Sequence, residues 1–547
     1  MQQVMILLSQ HCKYYAFVLL SFLLLQQSTL AQAPKETTQA LSKPAKKGWL
    51  ESATLTENGE IIINYSMKID KKSDQLSYED YLFDKDLNFK GVQPGKENKE
   101  TKPDYKGAAY WAYAGGTNSF NINSQKLSLM KGEAIFSWDY KRQRYEMSRR
   151  LSFDKIKMRN GEDRYDGYAA FSYKDEAFII ASYDPGGKEV KEQFVALYAD
   201  NNLNVKETPV TTGGNYSLVY FGSRNSGNFF VIMAPKNKMP DTKQYVYAEF
   251  TDKAELVKRT NFTSPSPNMM IMDYSEVNDD LYLVGGSVKG NDPFEDEFTD
   301  YAIIENPGMG ISRQAQKYND VIFKKDLDNF HLLKLKDGEL EFAGTTPIKN
   351  FDDKVIAPPG QKKKHTYDGK SLYVSTFKVT ASGEYLIGAQ LMDKDFNLKT
   401  KSLLLKYKDI VGLYFDGKGQ LKAQYAVEKM NDDTKSEIFD CRQSFVIAPD
   451  SKSAYWEIME VKGSKGYASY WDAVADNISY TPHYFPRIAK IDLTTNSLSE
   501  FEVLAGGGKF LVYTKNGRVI DESTNTAFYI GHDDEFEKLW IGKYLFK

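Results

Sequence analysis

Alternation of apolar and polar residues predicts β-strands along most of the chain. Between residues 63 and 70 the two faces separate cleanly: the apolar positions are Ile63, Tyr65, Met67 and Ile69, and the polar positions are Asn64, Ser66, Lys68 and Asp70. A period of two residues is typical of a half-buried strand. Comparable runs recur at residues 177–183, 228–233, 280–284, 384–391, 454–460 and 526–531. Most are followed by a second strand, a polar turn and a third strand, so the recurring unit is predicted to be a β-meander.

The predicted turn also recurs in sequence. Residues 82–90 (LFDKDLNFK) match residues 391–399 (LMDKDFNLK) position by position, and residues 197–206 (LYADNNLNVK) repeat the pattern with one insertion. Strand starts at residues 177, 228 and 280 are separated by 51 and 52 residues. This spacing favours propeller blades over helical solenoids, whose repeats are usually shorter.

Taken together, these patterns predict an all-β fold, a single β-propeller of about seven blades (six to eight) with loop insertions over residues 49–547. Residues 538–546 form the last predicted strand, and residues 49–56 are predicted to complete the last blade and so join the two termini. Two β-rich domains are the alternative architecture.

Two short motifs resemble those of known propeller repeats. Residues 281–286 (LYLVGG) and 110–116 (YWAYAGG) resemble the strand and double glycine of kelch repeats, although the tryptophan that follows in a kelch blade is missing. Residues 138–139 and 471–472 are Trp-Asp pairs, as in WD repeats, without the rest of that repeat. The resemblance implies a propeller fold and no particular activity.

The N-terminus has the layout of an export signal. Residues 1–31 contain one charged residue, Lys13, then a nearly unbroken apolar run and a region of small residues. This order is typical of a secretory signal peptide, and cleavage after Ala31 is expected. An uncleaved anchor is the alternative, although the apolar run is short for a membrane span. We therefore expect an exported protein, periplasmic or extracellular, whose mature chain has no transmembrane segment.

Residues 32–48 are rich in lysine and poor in apolar residues, which predicts a flexible linker.

Composition and charge exclude several classes of function. With 41% hydrophobic and 27% charged residues the chain can bury a large core, and Cys441 is the one cysteine after residue 31, so internal disulfides do not stabilise the mature fold. Lys and Arg (71) nearly balance Asp and Glu (74), which argues against a nucleic-acid partner. No nucleophile, phosphate-loop or dinucleotide motif is present, and the histidines show no zinc-finger spacing. We expect no cofactor, and the chain gives no positive sign of being an enzyme.

The turn sequences contain two incomplete matches to a calcium-binding loop. The first three oxygen-ligand positions of a calcium loop are matched twice, by Asp84, Asp86 and Asn88 and by Asp393, Asp395 and Asn397. The sixth position is Phe89 or Leu398 instead of glycine, and the twelfth is Gly95 or Leu404 instead of glutamate. Plain hairpin turns are the preferred interpretation, because Asp and Asn favour tight turns.

Two long insertions are the candidate functional regions. Residues 287–319 separate two strands of one predicted blade, and residues 462–486 are rich in aromatic side chains. Aromatic groups with polar tips suit sugar faces and protein hot spots, but they also pack loops against strands. The candidate binding residues are Tyr467, Tyr470, Trp471, His483 and Tyr484. The hypothesis is a non-catalytic binding or scaffold protein with a protein or glycan partner; the alternative is a propeller-type carbohydrate-active enzyme whose acids come from separate blades.

Overall fold

The fold is taken from a computed structural model of the chain. The structure describes residues 34–67, 75–98, 120–122, 127–129, 136–139, 144–147, 156–157, 164–173, 176–184, 193–199, 205–211, 215–236, 241–294, 326–361, 367–370, 372–397, 402–430, 439–463, 483–512, 517–521 and 523–547. Within the described residues the fold is all-β: strands predominate, and helix is confined to three 3-10 turns and residues 505–508. The predicted signal peptide lies outside the described residues.

The chain divides into two compact units. The first, called the terminal unit, combines Met1–Glu97 with Leu504–Lys547, and the second, the central unit, is Asn98–Val503. In the terminal unit, one antiparallel sheet has the order β2-β3-β4-β5, and a second has the order β1-β36-β35, with β33 and β34 pairing β35. These strands are β1 (Lys35–Ala40), β2 (Trp49–Leu55), β3 (Ile61–Ser66), β4 (Gln75–Phe83), β5 (Phe89–Asn98), β33 (Leu511–Val512), β34 (Arg518–Asp521), β35 (Thr526–His532) and β36 (Lys538–Leu545). A turn of 3-10 helix, Ala45–Lys47, precedes β2.

The core of the terminal unit joins the two ends of the chain. Ile61 and Ile63 on β3 pack with Ile530 on β35 and with Leu539 and Ile541 on β36. The alternation predicted from residue 63 onwards is confirmed for β3, where Ile61, Ile63 and Tyr65 are buried.

The predicted linker is wrong for residues 35–40, which form β1 and pair antiparallel with β36 along its full length. Leu41 and Ala45, in the same segment, are buried. Low apolar content did not prevent order here, because an edge strand can be held by backbone hydrogen bonds that composition does not report. The predicted closing strand is also wrong: residues 49–55 pair with β3, and β1 is the strand that pairs with β36. Because residues 35–40 were not predicted to form a strand, the closing role was assigned to the next segment.

The central unit contains a series of small antiparallel sheets. Three of them are ordered β15-β16-β17-β18, β19-β20-β21-β22 and β24-β25-β26-β27, the last with short β23 pairing parallel to β27. Their strands are β15 (Tyr216–Ser223), β16 (Phe229–Pro235), β17 (Gln244–Phe250), β18 (Leu256–Thr263), β19 (Met270–Val277), β20 (Asp280–Ser287), β21 (Asn329–Lys336), β22 (Glu339–Pro347), β23 (Val355–Ile356), β24 (Leu372–Val379), β25 (Tyr385–Asn397), β26 (Ser402–Phe415) and β27 (Leu421–Val427). Two 3-10 turns, Ile348–Asn350 and Asp352–Lys354, follow β22.

A fourth sheet of the central unit pairs β28-β29-β30, with short β31 and β32 on β30. Its strands are β28 (Arg442–Ile447), β29 (Ser453–Gly463), β30 (His483–Asp492), β31 (Ser497–Leu498) and β32 (Glu502–Val503). A fifth sheet is ordered β14-β13-β12-β11-β10-β7-β6, and β8 pairs with β9. These strands are β6 (Phe120–Ile122), β7 (Leu127–Leu129), β8 (Phe136–Asp139), β9 (Arg144–Met147), β10 (Ile156–Lys157), β11 (Arg164–Tyr173), β12 (Glu176–Asp184), β13 (Gln193–Ala199) and β14 (Val205–Pro209).

The predicted strand runs are confirmed. Each of the six recurring runs coincides with an observed strand, namely β12, β16, β20, β25, β29 and β35. In the β15–β18, β19–β22 and β24–β27 sheets, the run is the second strand of a four-stranded meander. Several small antiparallel sheets are therefore established, and they are compatible with propeller-like β repeats.

A single type of turn recurs where these strands reverse direction. In residues 380–384, the amide of Thr380 bonds to the carbonyl of Glu384, and Gly383 donates back to the carbonyl of Thr380. Gly383 has φ of 84°, the left-handed conformation that such three-residue hairpin loops require. Matching bonds close residues 56–60, 224–228 and 416–420.

Candidate functional site

In three sheets of the central unit, the second and third strands either are separated by a long stretch of sequence or are themselves unusually long. The connections β20–β21, β25–β26 and β29–β30 cover residues 288–328, 398–401 and 464–482. Strands β25 and β26 have 13 and 14 residues. The first strands β19, β24 and β28 lie next to one another in series. In a meander, the second–third connection lies at the same end as the exit from the fourth strand, and we call this the insertion end of each sheet.

Two of the five predicted binding residues, His483 and Tyr484, lie at the insertion end of the β28–β32 sheet. Tyr467, Tyr470 and Trp471 lie outside the described residues. His483 is the first residue of β30, and its backbone pairs with Gly463. Tyr484 follows it and is 1% exposed, with the guanidinium carbon of Arg442 5.0 Å from its ring centroid. The Tyr484 ring is therefore part of the packed interior of this structure.

A buried ion pair joins β29 and β30 near the ends that lead into this connection. Glu460 on β29 is 0% exposed and Arg487 on β30 is 3% exposed, and a guanidinium nitrogen of Arg487 contacts the Glu460 carboxylate. The same nitrogen donates to the carbonyl of Glu428 over 2.9 Å, and the guanidinium lies 4.7 Å from the Phe501 ring centroid. Such a pair tolerates burial because each charge has a partner of opposite sign and further polar contacts.

Further polar groups complete what we call the Glu460 cluster: Glu460, Arg487, Cys441, Gln390 and Lys429. The Cys441 thiol is 3.6 Å from Glu460 Oε2, and the Cys441 amide donates to Gln390 Oε1 over 2.6 Å. Gln390 Nε2 in turn donates to the carbonyl of Lys408 over 3.0 Å. Lys429 Nζ donates to the carbonyl of Tyr407 over 3.2 Å. The cluster thus ties the β24–β27 sheet to the β28–β32 sheet at their insertion ends.

The electrostatics of the cluster oppose nucleophilic chemistry. Burial raises the pKa of the Cys441 thiol, and the negative charge of Glu460 raises it further. A thiol that stays protonated is a poor nucleophile, so Cys441 is an inert buried cysteine. Withdrawal from water also raises the pKa of Asp440, with Arg442 and Lys429 acting in the opposite direction. The cluster can position a loop, but its charges already have partners.

Sequence reasoning missed Glu460 and Arg487. A signal was present, since Glu460 continues the face of Ala454, Trp456 and Ile458, which are all fully buried. A carboxylate in register with a buried apolar face requires a charged or hydrogen-bonding partner.

A second buried polar group lies at the insertion end of the β19–β22 sheet. His331 is 2% exposed, and its Nε2 is 2.8 Å from Ser287 Oγ while its Nδ1 is 3.0 Å from Thr345 Oγ1. Burial lowers the pKa of His331 to about 4. A serine beside a histidine can form a nucleophile and base, but a base with so low a pKa accepts a proton poorly near neutral pH. The imidazole is better described as a neutral link between two hydroxyl groups.

The two calcium candidates have different structures. Asp84 Oδ1 accepts the amides of Asp86 and Asn88, each over 2.9 Å, and Asp84 Oδ2 accepts Asn88 Nδ2 over 2.9 Å. These bonds lower the pKa of Asp84 to about 2 and form the hairpin turn that was preferred from the sequence. Asp393, Asp395 and Asn397 instead belong to strand β25. Within the described residues, no group of three or more His, Cys, Asp or Glu side chains is arranged to hold a metal ion.

Comparisons with known proteins identify no family. No family model matches the chain, and no curated protein matches its sequence. Similar solved structures include a DUF4221 family member from Bacteroides vulgatus, with a TM-score of 0.26, 11% identity, and coverage of 71% of this chain and 98% of that chain. Another is the lignostilbene dioxygenase of Pseudomonas brassicacearum, with a TM-score of 0.28, 8% identity, and coverage of 94% and 91%. A levansucrase mutant from B. megaterium has a TM-score of 0.22, 8% identity, and coverage of 62% and 85%. Similarity at this level defines neither the fold nor the function of this chain.

Among the described residues, no helix has the length and apolar character needed to cross a bilayer.

Proposed function

We propose that this protein is an exported, non-catalytic binding or scaffold protein, periplasmic or extracellular, whose sheets form one propeller of about seven blades. Its recognition face is the insertion end of the β19–β22, β24–β27 and β28–β32 sheets, and its partner is a protein or a glycan. Recurring four-stranded meanders support the propeller arrangement. The aromatic residues Tyr467, Tyr470 and Trp471 supply the contact surface.

The observation that carries this proposal is the Glu460 cluster at the base of the β29–β30 connection. A buried ion pair joins the two strands that lead into the connection, Glu460 on β29 and Arg487 on β30. Each partner also bonds to the segment that follows β27: Arg487 donates to the carbonyl of Glu428, and Glu460 accepts the amide of Met430. Binding sites keep their geometry when the elements beneath them are held by packed, hydrogen-bonded residues. A connection of 19 residues on such a base fits a binding loop better than a plain connection, because long loops in compact folds are often functional.

The test separates recognition from stability by comparing two variants. The double variant Tyr470→Ala/Trp471→Ala removes the proposed contact surface, and Tyr484→Ala removes a core ring that should cost about 3–5 kcal/mol of stability. Binding to a panel of soluble polysaccharides is measured by affinity gel electrophoresis, and binding to envelope proteins of the native host by quantitative pull-down. We expect the double variant to lose the interaction at an unchanged melting temperature, and Tyr484→Ala to melt earlier.

The alternative, a carbohydrate-active enzyme, is tested in the same samples. A non-catalytic protein should release no new reducing ends from any polysaccharide that it binds. Release that persists in the purified protein would favour the enzyme. A double variant that binds as well as the parent chain would place recognition elsewhere.

A further inference from the structure

Strand β1 lies at the edge of its sheet and covers the strand that ends the chain. It pairs residue by residue with β36, from Lys35 opposite Lys543 to Ala40 opposite Lys538. If β1 detached, β36 would expose a row of unpaired backbone donors and acceptors. Such an edge is a template for any extended segment that fits it. Residues 538–545 (KLWIGKYL) are rich in side chains that favour strands.

The side chains of β1 hold it weakly. Its sequence is KETTQA, and none of the six residues is buried. Elements with few buried apolar contacts open at low free-energy cost. The segment that follows is anchored far better: Leu41 and Ala45 are buried, the Ser42 amide donates to Tyr81 Oη over 2.9 Å, and Ser42 Oγ donates to Glu79 over 2.7 Å. We therefore expect any opening of β1 to stop between Ala40 and Leu41, where the anchored segment begins.

One side chain of β1 makes a specific contact. The Glu36 carboxylate accepts the indole N–H of Trp540 over 3.0 Å and the amide of Gly506 over 3.1 Å. Trp540 is fully buried and stacks on Phe510, so Glu36 satisfies a buried donor. Gly506 belongs to residues 505–508, all with positive φ, a backbone turn whose amide can point towards a carboxylate.

A glycine makes this contact sterically possible. Glu36 lies opposite Gly542, and a Cβ on Gly542 would be 2.7 Å from the Trp540 ring. The indole therefore occupies the space that a side chain at position 542 would take, and from there its N–H reaches the Glu36 carboxylate. The edge of β36 is thus shaped for a strand that has a carboxylate opposite Gly542.

We propose that β36 and the turn at residues 505–508 form a strand-acceptor site that residues 35–40 of a second copy of this chain can occupy. In the structure the chain fills this site with its own β1. The second copy is the occupant that the observations favour, because it carries the same backbone length and the same carboxylate at the required register. Exchange of β1 between two copies would link them without any change in the core of either.

The experiment uses the full chain with two single-cysteine variants in a Cys12→Ser background. Lys35→Cys and Lys543→Cys introduce thiols at directly opposed positions, close enough for a disulfide. Cys441 is fully buried and does not compete. The two variants are mixed, incubated and oxidised, and we expect a disulfide-linked heterodimer on a non-reducing gel. Adding Glu36→Gln to the Lys35→Cys chain removes a charge-assisted hydrogen bond and should speed heterodimer formation about tenfold.

Two control variants test whether β1 is seated on β36 and whether the disulfide requires the predicted register. The double variant Lys35→Cys/Lys543→Cys should close within one chain, which shows that β1 is seated on β36. Lys538→Cys lies five residues from position 543, about 17 Å along the strand, and should not link to Lys35→Cys. The proposal is overturned if the double variant closes but the mixture yields no heterodimer, or if the Lys538→Cys mixture links equally well. Failure of the double variant to close would overturn it too.

Discussion

The ion pair between Glu460 and Arg487 makes each side chain dependent on the other. Both are buried, so removing one charge leaves the other without compensation in a region that excludes water. We expect Glu460→Gln to lower the free energy of unfolding by about 3–5 kcal/mol, measured by urea denaturation. The double variant Glu460→Gln/Arg487→Met should recover part of that loss, because neither charge is then buried.

The matched control for this prediction is an exposed ion pair. Lys206 and Glu255 are 2.8 Å apart with both side chains largely exposed, and Glu255→Gln should leave stability unchanged within error. An equal loss in the two single variants would show that burial does not govern the effect.

His331 should make stability depend on pH. An unfolded histidine titrates near pH 6.5, whereas burial holds the pKa of His331 at about 4 in the folded chain. Between these values the unfolded state binds the proton and the folded state does not, so stability falls as pH falls from about 6.5 towards 4. The full loss is on the order of 3 kcal/mol. Urea midpoints at about pH 5 and pH 7 should differ less in His331→Gln than in the parent chain; equal differences would contradict this assignment.

Turns are the elements in which local sequence and structure agree most closely. Residues 56–60 (TENGE), 380–384 (TASGE) and 416–420 (DGKGQ) place Thr or Asp first and glycine fourth. In each, the side chain of the first residue accepts the amide of the fifth. This regularity can be read from sequence, because glycine adopts positive φ at no steric cost.

Gly383 allows the turn to be tested without a steric complication. Its φ is 84° and a Cβ placed on it would meet no atom within 4 Å, so a substitution tests backbone conformation alone. Gly383→Ala should lower the free energy of unfolding by about 1–2 kcal/mol, and Gly383→Asn by less, because asparagine tolerates the left-handed region. Thermal denaturation of the two variants beside the parent chain checks the order. An alanine variant at least as stable as the asparagine variant would show that conformation is not the cause.

Prediction from local sequence fails where the structure of a segment depends on the strand with which it pairs. Residues 82–90 and 391–399 are nearly the same in sequence, yet Asp84 starts a turn whereas Asp393 lies within β25. The difference arises because β25 and β26 continue to pair as far as Asn397 opposite Ser402, which moves the reversal beyond the matched residues. Strand β1 was missed for a related reason, since its order depends on an edge supplied from the other end of the chain.

At the scale of the whole molecule, the all-β class and the repeated meander could be predicted from the alternation of apolar and polar residues. It could also be predicted that strands from the two ends of the chain pack together. The strand that joins them could not be predicted, because a polar strand has no apolar period. The Glu460 cluster could not be predicted from the sequence, because Glu460 and Gln390 lie in different sheets and no local spacing connects them.

The terminal unit offers the most direct test of this organisation, because its core is built from segments more than four hundred residues apart. Leu539 is fully buried beside Ile61 and Ile63, so Leu539→Ala should cost about 2–5 kcal/mol and loosen β3 and β35 together. Amide hydrogen exchange should show faster exchange in both strands. Leu386→Ala, which truncates a fully buried leucine on β25 of the central unit, is the control and should act first on β24 and β26. If Leu539→Ala left β3 as protected as in the parent chain, the two ends would not share one cooperative core.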